Sequence, residues 1–238
     1  MSIVGKKLLR FYFFSFSFFL FSFSFSPFSL FAQSSNAIIQ SVTQRFNAVN
    51  DYRADVQVVV DIPFIRMNPI HAKVVYRKPD QIKVKSTGIL ILPKQDANLI
   101  FKTLADTNGY TAIQTGEEPI GTVKTKIINV IPNADTSDLV LGKFWIDAAR
   151  GLILKSQLTT KSNGTILVEN TFGAMASFGL PDKTLFTVEV GKFKLPKAMS
   201  LDINRKSPES HQGDGKGRIT LNFSNYIVNK GVKPEELE

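Results

Sequence analysis

Residues 52–60 read Tyr-Arg-Ala-Asp-Val-Gln-Val-Val-Val, and an apolar side chain recurs there at every second position. The same period of two returns at Ile70, Ala72, Val74 and Tyr76, and again at 82–84. Strands with this alternation have one apolar face and one polar face. The pattern therefore predicts an antiparallel sheet with one side in water.

Outward from this stretch, the chain contains further short apolar runs separated by turn residues. Asn163-Gly164 separates two of them and predicts a tight hairpin, because this pair tolerates positive φ. Residues 207–217 are polar and Gly-rich, which favours a loop. The further predicted strands are Tyr110–Thr115, Thr122–Ile131, Leu139–Ile146, Leu152–Thr160, Thr165–Phe172, Leu185–Val190, Met199–Ile203 and Gly217–Tyr226.

Two segments have helical rather than strand periodicity. Apolar residues at spacings of three and four predict a helix over Ser34–Asn50, and a second short helix over Gln95–Asp106. We therefore predict a mainly β (α+β) domain. It consists of one strongly curved antiparallel sheet of about eleven strands, an unclosed β-barrel, lidded by two or three short helices.

The first 32 residues predict export. Three basic residues precede an uncharged run from Phe11 to Phe31 that consists almost wholly of Phe, Ser and Leu. A basic start, an apolar stretch and a short end at Ala32 are the order of a secretory signal peptide. We predict cleavage after Ala32, which leaves one domain at 33–238. The alternative is an uncut signal that anchors the chain, since about 20 apolar residues can span a bilayer.

The chain contains no cysteine and has a formal net charge of +9. Without a thiol it can hold neither a thiolate metal site nor a lipid on a cysteine near the signal. Its basic side chains occur singly along the predicted strands, as at Lys83, Lys85, Lys124 and Lys126. This pattern is typical of a solvated sheet face, with weak attraction to anionic lipid headgroups as the alternative. We do not expect nucleic-acid binding, because the sequence has no basic block.

No motif predicts an enzyme or a cofactor site. The two histidines, His71 and His211, are too few for a His-rich metal site. The segment Met175–Gly179 has Met where a nucleophile elbow needs Gly. Glu117 and Glu118 stand beside Pro119, which favours a turn in which the two carboxylates do not converge. We therefore expect no catalytic residue, no cofactor and no metal.

The order of several motifs resembles one family. Tyr52 opens the pattern Tyr-x-Ala-x-Val-x-Val, and Arg77-Lys78-Pro79 leads into Ile-x-Val at Ile82. Phe144-Trp145-Ile146-Asp147 is followed by a turn at Gly151 and the hairpin at 152–172, and the run 219–232 is similar to a closing strand. With the N-terminal helix, this order resembles the periplasmic outer-membrane lipoprotein carriers, the LolA-like lipid-binding superfamily. The resemblance covers nearly all of residues 36–235.

The resemblance implies a periplasmic, monomeric carrier that shields acyl chains of lipoproteins or lipids in a concave cavity and moves them toward the outer membrane. It also implies an inner-membrane transporter as donor and an outer-membrane acceptor as recipient. The predicted lipid-binding wall consists of Val56, Val58, Val60, Ile70, Val74, Tyr76, Ile82, Val84, Leu99, Ile100 and Trp145.

One residue departs from the family pattern. Carriers of this type have an Arg immediately before the Pro of the second strand, and this Arg latches the lid through backbone carbonyls. Here that residue is Lys78, a point donor without the guanidinium fork. Either Lys78 makes a looser lid latch, or the cargo differs from triacylated lipoproteins.

Other interpretations of the same residues remain open. The apolar strand faces can be plain core, filled by the helices and by one another. Trp145, the only Trp, can line a pocket or pin the sheet. The alternative function is a non-carrier with the same fold, an envelope sensor or interaction module that an uncut signal could tether.

Overall fold

A computed structural model describes residues 34–63, 65, 67–88, 90, 103–162, 164–189 and 215–238. The signal-peptide prediction for residues 1–32 lies outside this part of the chain and stays a prediction. The elements that lie wholly within these residues are one helix, ten strands and two 3-10 turns. Their bounds are α1 (Ser35–Asn47), β1 (Asp51–Asp61), β2 (Ile70–Arg77), β3 (Gln81–Ser86), β4 (Tyr110–Ile120), β5 (Val123–Pro132), β6 (Leu139–Asp147), β7 (Leu152–Thr160), β8 (Gly164–Thr171), a 3-10 turn (Ala176–Phe178), β9 (Lys183–Glu189), β10 (Lys216–Val228) and a second 3-10 turn (Pro234–Glu236).

All ten strands form one antiparallel sheet in the order β3-β2-β1-β10-β9-β8-β7-β6-β5-β4. The chain therefore runs from the middle of the sheet to one edge, crosses to the other edge, and returns to the middle with β10. Within the described residues, β3 and β4 are the two edges and no ladder joins them. The predicted unclosed barrel of about eleven strands is confirmed as a ten-stranded sheet.

The period of two decides which face of the sheet is apolar. In β1 the buried positions alternate from Ala54 to Val60, and their cross-strand neighbours continue the same face. Val56, for example, lies between Ala72 of β2 and Phe223 of β10. This apolar face is the concave side of the half-barrel, and the opposite, convex side carries most of the charged residues.

Helix α1 covers the half of the concave face formed by β4 to β9. Ser34 caps the helix, because its side chain accepts a hydrogen bond from the Ala37 N–H at 3.2 Å. Ile38, Ile39 and Val42 of its apolar stripe are buried. They form one core cluster with Leu104, Tyr110, Ile128, Val130, Leu139, Phe144, Ile146, Ile153, Leu158, Ile166, Val168 and Val188.

A second apolar cluster lies on the other half of the concave face, formed by β1, β2 and β10. Its buried members are Val56, Val58, Val60, Ile62, Ile70 and Ile219. Half-buried residues such as Met67, Leu221 and Phe223 pack against it. In the described part of the chain, α1 does not belong to this cluster, so the two halves of the sheet are covered differently.

Apart from the end of β4, which lies at Ile120 rather than Thr115, the boundaries of the predicted elements in the described residues agree with the structure to within a few residues. The first helix ends at Asn47 rather than Asn50, and β7 has the predicted bounds. Residues 103–105 are helical, but the rest of the second predicted helix and the strand Met199–Ile203 lie outside the described residues. Within the described residues, no helix is both long enough and apolar enough to cross a membrane.

One local prediction is wrong. Glu117 and Glu118 do not form a turn, because β4 continues through Pro119 to Ile120 and the chain reverses at Gly121, which has a φ of 58°. A strand tolerates this proline because β4 is an edge strand and needs hydrogen bonds on one side only. The two carboxylates nevertheless diverge: Glu117 pairs with Lys124 and Lys126, whereas Glu118 accepts a bond from Trp145.

The C-terminal residues fasten the last turn to β1. The Arg53 guanidinium donates to both carboxylate oxygens of Glu236, each at 2.5 Å, and to the Gly231 carbonyl at 2.8 Å. The Asp51 carboxylate accepts hydrogen bonds from the Lys230 and Gly231 N–H groups at 3.1 and 3.2 Å. These contacts hold residues 229–236 against the start of the sheet.

The ion pair between Arg53 and Glu236 predicts a pH dependence of stability. The hydrogen bonds from Arg53, and then the Lys233 N–H, lower the pKa of Glu236 from 4.5 to about 2. A carboxyl whose pKa falls on folding stabilises the protein above its unfolded pKa and loses this effect as the pH drops toward the folded pKa. We expect Glu236→Gln to lower the melting temperature at neutral pH, and the difference from the wild type to shrink between about pH 4.5 and 2.

Thermal unfolding at neutral pH and near pH 2 measures this difference. Glu235→Gln is the matched control, because it removes the same charge from the neighbouring residue, which is exposed. A melting-temperature difference for Glu236→Gln that is the same at both pH values, or equal for both variants, would contradict the prediction.

Candidate functional site

An apolar cavity of about 190 Å³ lies between the inner side of α1 and the concave face of the sheet. None of the described residues that line it is charged. An engineered apolar cavity of about 150 Å³ accepts benzene, so this space is sufficient for part of an acyl chain. The walls include Val42 and Phe46 of α1, Tyr52, Tyr76 and Ile82 of β1 to β3, Ser156, Leu158 and Val168 of β7 and β8, and Leu221, Phe223 and Tyr226 of β10.

One end of the cavity is aromatic. Ring centroids are 5.8 Å apart for Phe46 and Tyr76, 5.4 Å for Tyr52 and Tyr76, and 5.9 Å for Phe223 and Tyr226. The Tyr226 hydroxyl donates to the Pro181 carbonyl at 2.8 Å. Burial raises the pKa of both Tyr226 and Tyr76 above the ordinary value, so both phenols are neutral at physiological pH.

Two polar side chains in the wall bond to their neighbours. The Thr184 hydroxyl donates to the Asn170 Oδ1 at 2.9 Å, and the Asn170 Nδ2 donates to the Ile153 carbonyl at 3.1 Å. Buried polar groups that are paired in this way cost little and offer few free donors. The wall is therefore suited to a hydrocarbon chain rather than to a charged headgroup.

Helix α1 lies very close to the turn between β6 and β7. Gly151 in this turn has a φ of 60°, and a Cβ there would lie 2.8 Å from the Ser41 carbonyl oxygen. Glycine meets both demands, because it tolerates positive φ and has no Cβ. Since Gly151 also lines the cavity, this contact sets the height of the helix above it.

Side-chain donors hold the C-terminal end of α1. The Lys78 ammonium donates to the Asn47 carbonyl, and the Asn229 Nδ2 donates to the Ala48 carbonyl at 2.8 Å. Arg45 of the helix donates to the Ser177 carbonyl at 3.3 Å. A cation that bonds to the last carbonyls of a helix also interacts favourably with the helix dipole. The structure thus places Lys78, the predicted latch, on a lid carbonyl.

The sequence did not single out Arg45 or Asn229. A basic residue in the last turn of a predicted helix is one signal for such a contact. An asparagine after a predicted strand is the other signal, because asparagine often occupies the left-handed conformation in turns. Asn229 does so here, with a φ of 56°. Neither signal says which carbonyl the side chain reaches.

The structure brings only part of the predicted wall together at the cavity. Tyr76 and Ile82 line it. Val56, Val58, Val60 and Ile70 are buried beside it in the second cluster, and half-buried Val74 packs against them. Val84 lies on the same face of the sheet but is 37% exposed. Leu99 and Ile100 lie outside the described residues.

Trp145 does not line the cavity. It lies on the convex side of β6, where its Nε1 donates to a Glu118 carboxylate oxygen at 2.7 Å. The ammonium groups of Lys143 and Lys155 lie 4.7 and 4.6 Å from the centre of its ring. Cations over a tryptophan face are attractive. Trp145 therefore pins β4, β6 and β7 together, which is the other role that the sequence left open.

Within the described residues, the cavity is the feature suited to an apolar ligand. Within the described residues, no three His, Cys, Asp or Glu side chains are grouped so as to hold a metal ion. The residues that sequence analysis missed in the wall, such as Val42, Leu158 and Phe223, come from elements far apart in the chain. The spacing of apolar residues in the helix and in the strands marks these three side chains as inward-facing, but not as neighbours of a cavity.

No family model matches the chain, and no curated protein matches it in sequence. Solved structures, three of which follow, resemble it at the level of the backbone. A domain from Vibrio parahaemolyticus, named for outer membrane lipoprotein sorting, has a TM-score of 0.52 and 10% identity, over 85% of this chain and 95% of its own. A DUF1329 family protein from Desulfovibrio piger has a TM-score of 0.55 and 9% identity, over 86% of this chain and 97% of its own.

A LolA superfamily protein from Nitrosomonas europaea aligns over 87% of this chain and 97% of its own, with 10% identity and a lower TM-score of 0.48. At such identities the first two likenesses speak for the fold alone. The chain therefore shares the fold of these two structures, and its own unclosed ten-stranded sheet is the half-barrel that its motif order predicts.

Proposed function

We propose that this protein is a periplasmic carrier that shields acyl chains of lipoproteins or lipids beneath α1 and moves them toward the outer membrane. The observation that carries the proposal is the uncharged cavity between the helix and the concave sheet. Each methylene kept out of water is worth about 0.8 kcal/mol, so an acyl chain needs such a cover to cross an aqueous compartment.

The way in which α1 is held supports a lid that opens. Its apolar stripe is anchored in the first cluster, whereas its C-terminal end depends on Lys78, Asn229 and Arg45. Exposed bonds of this kind are weak individually and can break without unfolding the sheet. Cargo would then enter and leave beside Phe46 and Ile82.

The proposed partners follow from the direction of transport. An inner-membrane transporter would load the carrier, and an outer-membrane acceptor would receive the chains. A similar structure that is named for outer membrane lipoprotein sorting supports this route. The proposal contains no catalytic step and no cofactor.

A transfer assay between vesicles tests the carrier function. Donor vesicles containing a fluorescent acyl lipid are separated from acceptor vesicles by a membrane that only the protein can cross. We expect label to reach the acceptor in proportion to protein concentration. Transfer no faster than without protein would overturn the proposal and favour an interaction module with the same fold.

Removing the Lys78 ammonium should speed the release of cargo. Lys78→Ala removes a donor to the Asn47 carbonyl at the lid end. Because a cation at a helix C-terminus is worth about 0.3–1 kcal/mol, we expect cargo to dissociate about two- to fivefold faster. Stopped-flow release of the fluorescent lipid measures the rate, and chemical unfolding measures the stability.

Lys78→Arg and Lys183→Ala are the controls. The arginine keeps a donor at the same position and should retain slow release. Lys183 is an exposed lysine on β9 that does not line the cavity, and its loss should leave release unchanged. A Lys78→Ala protein that is less stable but releases lipid at the wild-type rate would show that Lys78 is not a latch.

A further inference from the structure

Strand β3 presents an apolar row and a basic row at a free edge of the sheet. Ile82 and Val84, on the concave side, are 41% and 37% exposed. Lys83 and Lys85 point to the convex side in alternation with them. Among the described residues, no strand pairs with the outer side of β3. Both rows can therefore meet the same flat surface if it approaches the edge.

The lysines on this edge are not all neutralised by the fold. Lys83 donates to the carbonyl of Glu238. Lys73 of β2 and Lys85 of β3 stand directly opposite each other, both exposed, and no ion pair involves either of them in the described part of the chain. Like charges in opposite positions destabilise a sheet. A lysine at an edge discourages strand pairing, but this role does not need a second lysine opposite.

The surface around this lysine pair is a polar groove. An open depression of about 760 Å³ on the convex side is lined by Lys73, Lys85, His71 and Thr87, and also by Asp55 of β1. Asp55 faces Lys73 across the strands, but its carboxylate accepts a bond from the Asn225 Nδ2 at 2.8 Å. The groove has room for headgroups that carry phosphate, and its two free ammonium groups complement their charge.

We infer that the β3 edge docks on an anionic phospholipid bilayer, with Lys73 and Lys85 against the phosphates and Val84 at the acyl boundary. Basic residues near a membrane attract anionic lipids, and an apolar row beside them adds shallow insertion. Because Ile82 also lines the cavity, docking would hold the cavity beside the bilayer. This last step, lipid passage at the docked edge, rests on the proposed function, whereas the docking itself does not.

Vesicle cosedimentation tests the docking. Vesicles of phosphatidylcholine with phosphatidylglycerol are compared with pure phosphatidylcholine, at low and at physiological salt. We expect the exported protein to bind the anionic vesicles and Lys73→Gln/Lys85→Gln to bind them about 10- to 30-fold more weakly. Lys124→Gln/Lys183→Gln removes the same charge from β5 and β9 and should bind within about threefold of the wild type. Equal losses in both double variants, or no preference for anionic vesicles, would overturn the inference.

A second pair of variants tests the apolar row of β3. Val84→Ser should weaken binding about threefold, whereas Ile113→Ser on β4, the opposite edge, should not. Binding of a fluorescent fatty acid without vesicles separates the two proposals. If vesicles bind but the fatty acid does not, the carrier function fails and the docking stands. If the fatty acid binds but vesicles do not, the docking is wrong.

Discussion

Ser156→Phe is expected to abolish acyl-chain binding while leaving the sheet folded. Ser156 is a small residue of β7 whose side chain lies in the cavity wall and is buried. A phenyl ring at this position would occupy space that the cargo needs. In a filled core the same insertion costs about 1–3 kcal/mol of unfolding free energy, but in a real cavity the cost is smaller. This variant thus tests both whether the cavity is empty and whether it binds acyl chains.

Titration with a fluorescent fatty acid measures the binding, and urea unfolding measures the stability. Gln157→Phe is the control, since Gln157 is next in the same strand and points to the convex side. It should bind like the wild type. Should Ser156→Phe fail to fold, Ile82→Trp narrows the cavity at an exposed wall residue and should weaken binding as well. Normal binding by both cavity variants would exclude this site.

Phe144→Ala is expected to give the largest loss of stability. Phe144 is 1% exposed and belongs to the cluster that α1 covers. Truncating a fully buried Phe costs about 3–5 kcal/mol, because the cavity left behind collapses only in part. Phe223→Ala should cost less than about 2 kcal/mol, because Phe223 is half-buried and faces the existing cavity.

The two variants should also differ in their affinity for lipid. Chemical unfolding gives the two free energies, and lipid titration of the folded fraction gives the affinities. Phe223→Ala should change the affinity, since its ring lines the cavity, and Phe144→Ala should not. Equal stability losses would mean that both halves of the concave face are ordinary core.

Much of the fold could be predicted, because strand parity is a local property of the sequence. The alternation from Tyr52 to Val60 identified the buried face of β1. Proline and glycine residues between the apolar runs marked the ends of most strands. Pro119 was misleading, because a proline is a turn signal in most contexts but is tolerated in an edge strand. Only the completed sheet shows that β4 is an edge.

The cavity could be predicted only in part, because the part of the sheet that a helix covers depends on residues far apart in the chain. Parity places Val56 and Leu158 on the same face, but it does not say that α1 packs over one half and leaves a space at its border. Trp145 shows a different limit. The run from Phe144 to Ile146 is continuously apolar and hides the alternation, although Lys143, two residues away on the same face, indicated the convex side.

Native mass spectrometry of the protein purified from cells, followed by solvent extraction and identification of the lipid, is the most decisive measurement. If the space beneath α1 carries acyl chains, the wild type should show an added mass that disappears on extraction and yields acyl lipids. Ser156→Phe purified in parallel should show the bare chain. A wild type that never carries extra mass, or a Ser156→Phe protein with the same lipid load, would contradict the carrier function.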